Sequence, residues 1–242
     1  MYTLIISDIH ANLTALEAVL AAAGPVDATW CLGDLVGYGP DPNECIERIR
    51  GLPNLQCIMG NHDAAAVGSI EVDTFNHEAR KTVLWTQERL TPINKDYLLN
   101  LPERIDLEHF TLVHGSPFRP LWEYLLETRY ATLSFEFFEA PYCFVGHTHL
   151  PVIHLLPDDR VTAQTIVPEP STFMTLAPRA ILNPGSVGQP RDHNPHAAYA
   201  ILDMDDYTLE WHRVEYNILS VQERMRQENL PERHITRLSA GW

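Results

Sequence analysis

Apolar runs that end in a glycine or a single small residue and then an acid, an amide or a histidine recur along this sequence. That recurrence constrains the fold more than any other feature. Trp30-Cys31-Leu32-Gly33-Asp34-Leu35-Val36-Gly37 is the plainest case: a buried strand delivers one carboxylate, through a glycine-loosened turn, to the carboxyl edge of a sheet. α/β folds place their chemistry at that edge. One Gly-Asp alone is ordinary turn composition. Asp8 and His10, Asn61 and His62, His114, and His147 with His149 nevertheless occupy the same strand-end setting, and such returns to one kind of position point to one site.

The stretches between these positions predict the connections. Residues 2–7 read as a strand ending in Asp8-Ile9-His10; Asn12 or Thr14 caps a helix with Leu13, Leu16, Leu20 and Ala23 on its inner face, and Gly24-Pro25 ends it. With the strand before Gly33 this makes a βαβ unit and hence a parallel sheet. Residues 37–42, punctuated by Gly37, Gly39, Pro40 and Pro42, form a loop beside the site. A helix at about 43–50 and a strand at 56–59 lead to Gly60-Asn61-His62-Asp63. Residues 64–101 read as helical and capping the core, with Phe75, Val83, Leu84 and Leu90 as candidate inner positions and Trp85 beside them. A hairpin over 104–113 delivers His114, helices around 120–126 and 133–138 follow, and a strand at 142–145 delivers Gly146-His147-Thr148-His149.

From residue 152 the texture changes to alternating strands, at 152–155, 160–167, 180–182, 197–203 and 209–216, which suggests an antiparallel second sheet packed on the first. A final helix over 218–228 ends before Pro231, and the charged tail from about 231 is expected to be loose. No linker, low-complexity tract or internal repeat divides the chain, so residues 1–242 are expected to be a single domain.

The formal charge of -15 opposes binding to nucleic acid or to an anionic membrane, and an anionic substrate would need a local cation. Cys31, Cys45, Cys57 and Cys143 lack CxxC spacing and read as reduced core residues, consistent with a cytoplasmic protein. Leu4-Ile5-Ile6 is too short for a signal peptide, and no apolar run approaches the ~20 residues of a membrane span.

Asp, His and Asn donors without thiolate suit Mn, Fe, Zn, Co or Ni. The number of such donors is too large for one ion and suits two, about 3.5–4 Å apart and bridged by one carboxylate. Such a pair activates water near neutral pH, neutralises phosphoryl oxygens and holds attacking and leaving oxygens in line, which is what a phosphate ester requires.

Asp8-x-His10, Gly33-Asp34, Gly60-Asn61-His62-Asp63, His114 and Gly146-His147-x-His149 resemble, in order, the motif set of the calcineurin-like metallophosphoesterases. Residues 33–43 and the later Asn183-Pro184-Gly185-Ser186-Val187-Gly188 look like the bacterial predicted-phosphodiesterase branch. The resemblance implies two packed mixed β-sheets flanked by helices, a four-layer αββα sandwich. It implies that Asp8, His10 and His149 hold one metal, that Asn61, His114 and His147 hold a second, and that Asp34 bridges them. His62 resembles the family's near-site histidine, which is not a ligand but stabilises or protonates the leaving oxygen. Cations beside it should lower its pKa unless a carboxylate offsets them, and Asp63 is the expected partner.

One departure stands out. The family's protein Ser/Thr phosphatases continue the Gly-Asp motif into Asp-Arg, where this chain has Gly37 and Tyr38. The substrate-clamping arginine and the acid that pairs with the histidine are thus missing from that loop, and Arg191 is the candidate replacement cation. The expected function is a dinuclear phosphoesterase, foremost a phosphodiesterase, with manganese the first choice of metal and a small phosphorylated substrate attacked in line by metal-activated water. The alternatives are a dinucleoside-polyphosphate or nucleotide hydrolase and a non-catalytic binding scaffold on the same fold. His77, His109, His154, His193, His196, His212 and His234 read as surface or satisfied core residues. The 183–188 segment reads either as a tight turn between strands or as part of the substrate cleft, Tyr38 and Asp41 as parts of a solvated loop, and Phe135, Phe137 and Phe138 as core.

Overall fold

The computed structural model describes residues 1–242. β1 (Tyr2–Ile6), α1 (Leu13–Ala23), β2 (Ala28–Cys31), α2 (Pro42–Arg50) and β3 (Leu55–Cys57) follow each other as the βαβ pattern requires, and β1, β2 and β3 pair in parallel. Asn12 caps α1, its side-chain oxygen accepting from the Ala15 N–H at 3.1 Å. The helical region after residue 60 is broken into α3 (Asn61–Ala66), α4 (His77–Arg89) and α5 (Pro92–Leu99). Then come β4 (Arg104–Asp106), β5 (Phe110–Val113), α6 (Thr128–Ser134), β6 (Tyr142–Phe144), β7 (Val152–Leu155), β8 (Gln164–Ile166), β9 (Phe173–Thr175), β10 (Ala180–Asn183), β11 (Ala197–Asp203), β12 (Thr208–Val214), α7 (Ile218–Gln227) and α8 (Glu232–Ala240).

The strands form two six-stranded mixed sheets, in the orders β3-β2-β1-β11-β12-β9 and β4-β5-β6-β10-β7-β8. This corrects the expectation that strands after residue 152 make a sheet of their own. β11 pairs antiparallel with β1, from Tyr2 opposite Asp203 to Ile5 opposite Ala200, while β10 lies parallel to β6. The late strands therefore complete both sheets.

Between the sheets lies an apolar layer that includes Ile5, Trp30, Phe110, Phe144, Ile153, Leu182 and Trp211, all buried. The other face of the first sheet packs on α1, α2 and α5 through Leu4, Ile6, Leu16, Val19, Ile46, Ile49 and Leu98. The other face of the second meets Phe135 and Phe138 near α6. Because β2 and β5 are covered on both sides, every residue in them is buried rather than every second one, Thr29 and Thr111 included. The layer order is helix, sheet, sheet, helix, and all four cysteines are buried and unpaired.

Several local expectations need correction. Residues 120–126 are not helical: the chain turns where the Gly115 N–H meets the Pro120 carbonyl. Leu84 and Phe137 are 40% and 41% exposed rather than inward. The tail is not loose: α8 packs on α7 through Val221, Met225, Ile235 and Leu238, all buried. Charge dominates its sequence, but His234, Ile235 and Leu238 make one buried stripe at helical spacing. No helix is long and apolar enough to cross a membrane.

Candidate metal centre

The parallel strands β1, β2, β5 and β6 point their carboxyl ends the same way within each sheet, and the segments following them meet between the two sheets. Asp8 and His10 follow β1, Asp34 follows β2, Asn61 and His62 open α3, His114 follows β5, and His147 and His149 follow β6. Asp8, His10, Asp34, His147 and His149 all adopt positive φ, between 48° and 64°. Non-glycine residues are held there only when the surroundings over-determine them, and such strain gathers at functional sites.

All seven expected ligand residues come together and are buried. Nε2 of His149 lies 3.3 Å from Asp8 Oδ1 and 3.1 Å from His10 Nε2. Nε2 of His114 lies 3.2 Å from Asn61 Oδ1 and 3.3 Å from Asp34 Oδ2. Asp34 Oδ2 is also 3.6 Å from His10 Nε2, so this one oxygen stands between the two groups. Asp8 with His10 and His149, and Asp34 with His114 and His147, each bring their ligand atoms within 4.8 Å of one another.

The surroundings aim these atoms inward. His10 Nδ1 meets the Val36 carbonyl at 3.1 Å, His114 Nδ1 that of Leu32 at 2.7 Å, and His149 Nδ1 that of Gln189 at 2.5 Å. A carbonyl only accepts, so each Nδ1 holds its proton against the backbone and each Nε2 faces the centre. The carboxylates are split likewise: Asp8 Oδ2 accepts from the His147 N–H at 3.1 Å, Asp34 Oδ1 from the His62 N–H at 2.8 Å, and the other oxygen of each points inward.

Asp8 Oδ1 and His147 Nε2 are buried without a hydrogen-bond partner. Orphaned polar atoms of this kind, among oxygen and imidazole donors with no thiolate, fit divalent transition-metal cations.

Electrostatics reinforces the fit. Burial pushes His10, His147 and His149 well below the usual imidazole range, so they present lone pairs. Burial raises Asp8 to about 6, with the Asp34 charge adding to it. Asp34 is held well below the usual carboxylate range: burial opposes this, but His114, His62 and His10 outweigh it. His114 is raised to about 10, burial again opposing and Asp34 prevailing. Without metal, protonated His114 supplies part of the missing positive charge, and metal binding would release that proton.

His62 lies beside these residues. Burial lowers it to about 4, with Asp34 opposing. Its expected partner is not Asp63, whose Oδ1 and Oδ2 accept from the backbone N–H groups of Val36 at 3.1 Å and Gly60 at 3.0 Å. Asp63 ties the two metal-bearing turns together instead. The partner of His62 is Tyr38, whose hydroxyl is 3.1 Å from Nε2. Tyr38 is buried, contrary to the solvated loop expected there, and Asp41 is taken by Arg224 at 2.9 Å. The exchange of Asp-Arg for Gly37 and Tyr38 was the available signal.

The 183–188 segment is more than a bare turn. Ser186 donates to the Asp8 carbonyl at 2.8 Å, Asn183 to that of Gly146 at 2.7 Å, and a Cβ on Gly188 would lie 1.8 Å from the Ile9 carbonyl oxygen. Close backbone approach there clamps the β1 and β6 turns to each other.

Arg191 follows, its Nη2 donating to Gln189 Oε1 at 3.0 Å and its guanidinium carbon 5.9 Å from the Tyr38 ring. His234, expected to be a surface or satisfied core histidine, is buried with neither ring nitrogen partnered, 4.5 Å from the Tyr38 ring centroid. Sequence reasoning had no signal for it, since α8 is remote in the chain. Tyr124, also missed, stacks on His147 at 3.8 Å.

Residues 1–207 match the model of the calcineurin-like phosphoesterase superfamily domain. An uncharacterized protein of Methanocaldococcus jannaschii is 37% identical over 244 residues, covering 98% of this chain and 97% of its own. The crystal structure of a metallophosphoesterase from Sphaerobacter thermophilus superposes with a TM-score of 0.91 at 46% identity, over 100% of this chain and 99% of that one. A symmetrical bis(5'-nucleosyl)-tetraphosphatase of Pectobacterium atrosepticum is 36% identical over 67 residues, 26% of this chain and 24% of that enzyme.

Proposed function

Because this chain belongs to the calcineurin-like phosphoesterase superfamily and is a metal-dependent phosphoester hydrolase, we propose that it is a dinuclear phosphodiesterase, residues 1–242 acting as one domain. The observation that carries the dinuclear reading is Asp34 Oδ2 standing 3.6 Å from His10 Nε2 and 3.3 Å from His114 Nε2, between two sets of ligand atoms. Asp8, His10 and His149 would hold one cation, Asn61, His114 and His147 the other, and Asp34 both, with manganese the first choice for this oxygen and nitrogen set. Cations held by these residues would supply activation of water and neutralisation of charge on the phosphoryl oxygens.

The remaining steps belong to side chains. His62, neutral at pH 7 and hydrogen-bonded to Tyr38, forms with it the pair that stabilises the departing oxygen. Asp63 acts by positioning, since its carboxylate fixes the turns that carry Asp34 and Asn61. Arg191 is the cation that faces the substrate, its guanidinium beside Tyr38. Local likeness to the Pectobacterium tetraphosphatase supports a second reading, hydrolysis of a dinucleoside polyphosphate.

The test is hydrolysis of bis-p-nitrophenyl phosphate and of p-nitrophenyl phosphate by manganese-loaded and chelator-treated protein, with Asp34→Asn as the blank. Faster cleavage of the diester, lost with chelator and in D34N, is expected. Faster cleavage of the monoester would end the diesterase assignment, and no cleavage of esters or dinucleoside polyphosphates would favour a binding scaffold.

A further inference from the structure

Two arginines converge on one amide oxygen next to the centre. Arg191 Nη2 donates to Gln189 Oε1 at 3.0 Å, and Arg237 Nη1 reaches the same oxygen at 3.5 Å. Guanidiniums set side by side repel each other unless a negative charge lies between them. No carboxylate pairs with either arginine: Asp192 is held by Arg213 through Oδ2, its Oδ1 being unpartnered, and Glu78 by Arg233 at 3.7 Å. In a chain of net charge -15, two neighbouring arginines without a carboxylate partner are a local reversal of the overall balance.

Other nitrogens around them also lack acceptors. Nε of both arginines, Nε2 of Gln189 and the ring nitrogens of His234 are buried without a hydrogen-bond partner, and the neutral imidazole adds one N–H to these donors. Gln189 and His234 are themselves 1% and 2% exposed. A cluster in which donors outnumber acceptors and two of the donors are charged is chemically complementary to an oxyanion, and phosphate in particular suits the planar guanidinium fork.

The cluster adjoins the proposed metal ligands without coinciding with them. The Gln189 carbonyl receives His149 Nδ1, and the Tyr38 ring packs against His62, His10 and His234 at centroid distances of 4.4, 4.6 and 4.5 Å. His234 and Arg237 stand one turn apart on α8, beyond the residues 1–207 that match the family domain. The end of α8 is fastened to the loop that carries Arg191: the His193 N–H donates to the Gly241 carbonyl at 2.6 Å, and a Cβ on Gly241 would lie 2.7 Å from the Asn194 nitrogen.

We infer that Arg191 and Arg237 form a second phosphoryl-binding site beside the metal centre, so that the substrate carries a phosphoryl group besides the one hydrolysed. This rests on the phosphoesterase reading of the centre. Arg191, beside Tyr38, is shared between the scissile group and the second one, whereas Arg237 serves the second. Specificity for a substrate with more than one phosphoryl group thus comes from a helix outside the family domain.

Calorimetric titration of manganese-loaded protein with methylphosphonate and with methylenediphosphonate tests this without turnover, because C–P bonds are inert to phosphoester hydrolysis. The ratio of the two affinities is compared between the wild-type chain and Arg237→Met, so that metal chelation by the diphosphonate, common to both, cancels. The ratio is expected to favour the diphosphonate and to fall about tenfold in R237M, as loss of one charge-assisted contact implies. Arg237→Lys, which keeps the charge and loses the fork, should recover part of it and guards against a folding defect in R237M. An equal ratio in all three proteins, or a loss of affinity shared equally by both ligands, would overturn the inference. Hydrolysis of bis-p-nitrophenyl phosphate, followed on the same samples, reports separately on the phosphoesterase reading: absent turnover counts against that reading, while the affinity ratio still decides this one.

Discussion

Tyr38 and His62 share a hydrogen bond of 3.1 Å between the tyrosine hydroxyl and Nε2, inside a wall of rings that also contains His10 and Phe75. Burial raises the Tyr38 hydroxyl pKa and lowers that of His62, so both are neutral at pH 7 and the bond joins two uncharged groups. Tyr38→Phe removes the hydroxyl that orients the His62 ring. We expect kcat to fall on the order of tenfold for alkyl esters, whose leaving oxygen needs help, and less for p-nitrophenyl esters, with KM little changed. Equal losses for both kinds of ester would separate Tyr38 from leaving-group departure.

Gly37 makes room for that pair. Its φ is +92°, and a Cβ there would lie 2.5 Å from His62 Nδ1 and 2.9 Å from its Cγ. Gly37→Ala therefore acts twice: the left-handed backbone costs on the order of 1–2 kcal/mol in stability, and the His62 ring must move aside. Activity should drop as far as in His62→Ala while manganese content, measured by elemental analysis, matches the wild type. Loss of metal in G37A would show that the glycine supports the ligands instead.

Asp8 gives a prediction whose sign depends on metal. Its carboxylate is buried, its pKa is raised to about 6 by burial and then by Asp34, and its Oδ1 has no partner. In metal-free protein at pH 7 that charge is a liability, and Asp8→Asn should stabilise the fold by on the order of 1–3 kcal/mol. With manganese the order should reverse, because a ligand at a thousand times its Kd stabilises by about 4 kcal/mol and the variant binds it less well. Urea unfolding of both proteins with and without manganese checks the crossover; D8N less stable in both states would refute it.

How much of this was legible follows from how local each feature is. Asp8, Asp34, Asn61, His114 and His147 could be picked out because each closes an apolar strand or follows its glycine, a pattern confined to a few neighbouring residues. The division of late strands between two sheets could not, since β11 is placed by pairing with β1 some two hundred residues earlier, which alternation does not encode. Asp63 and His62 are adjacent in sequence yet point apart, because Asp63 caps the α3 backbone at Gly60 while His62 faces Tyr38. The buried face of α8 is only His234, Ile235 and Leu238 among charged residues, too short a stripe to outweigh its composition.

His234 makes stability depend on pH in a defined direction. Burial, then the charges of Arg237 and its neighbours, lower its pKa from 6.5 to about 3. Between those values the unfolded chain takes up a proton that the folded chain refuses, so stability is complete above pH 6.5 and declines as the pH falls toward 3. One such group contributes a slope of about 1.4 kcal/mol per pH unit in that window. His234→Leu removes the group while keeping an apolar filling against Tyr38. Wild-type protein should therefore lose about 2 kcal/mol more than H234L between pH 7 and pH 5, by urea unfolding of metal-free samples, since 1.5 of those units lie below 6.5. Parallel losses would mean that His234 accepts its proton in the folded state. Its two unpartnered nitrogens would then already be meeting an acceptor, and the donor excess around Arg191 and Arg237 would shrink with them.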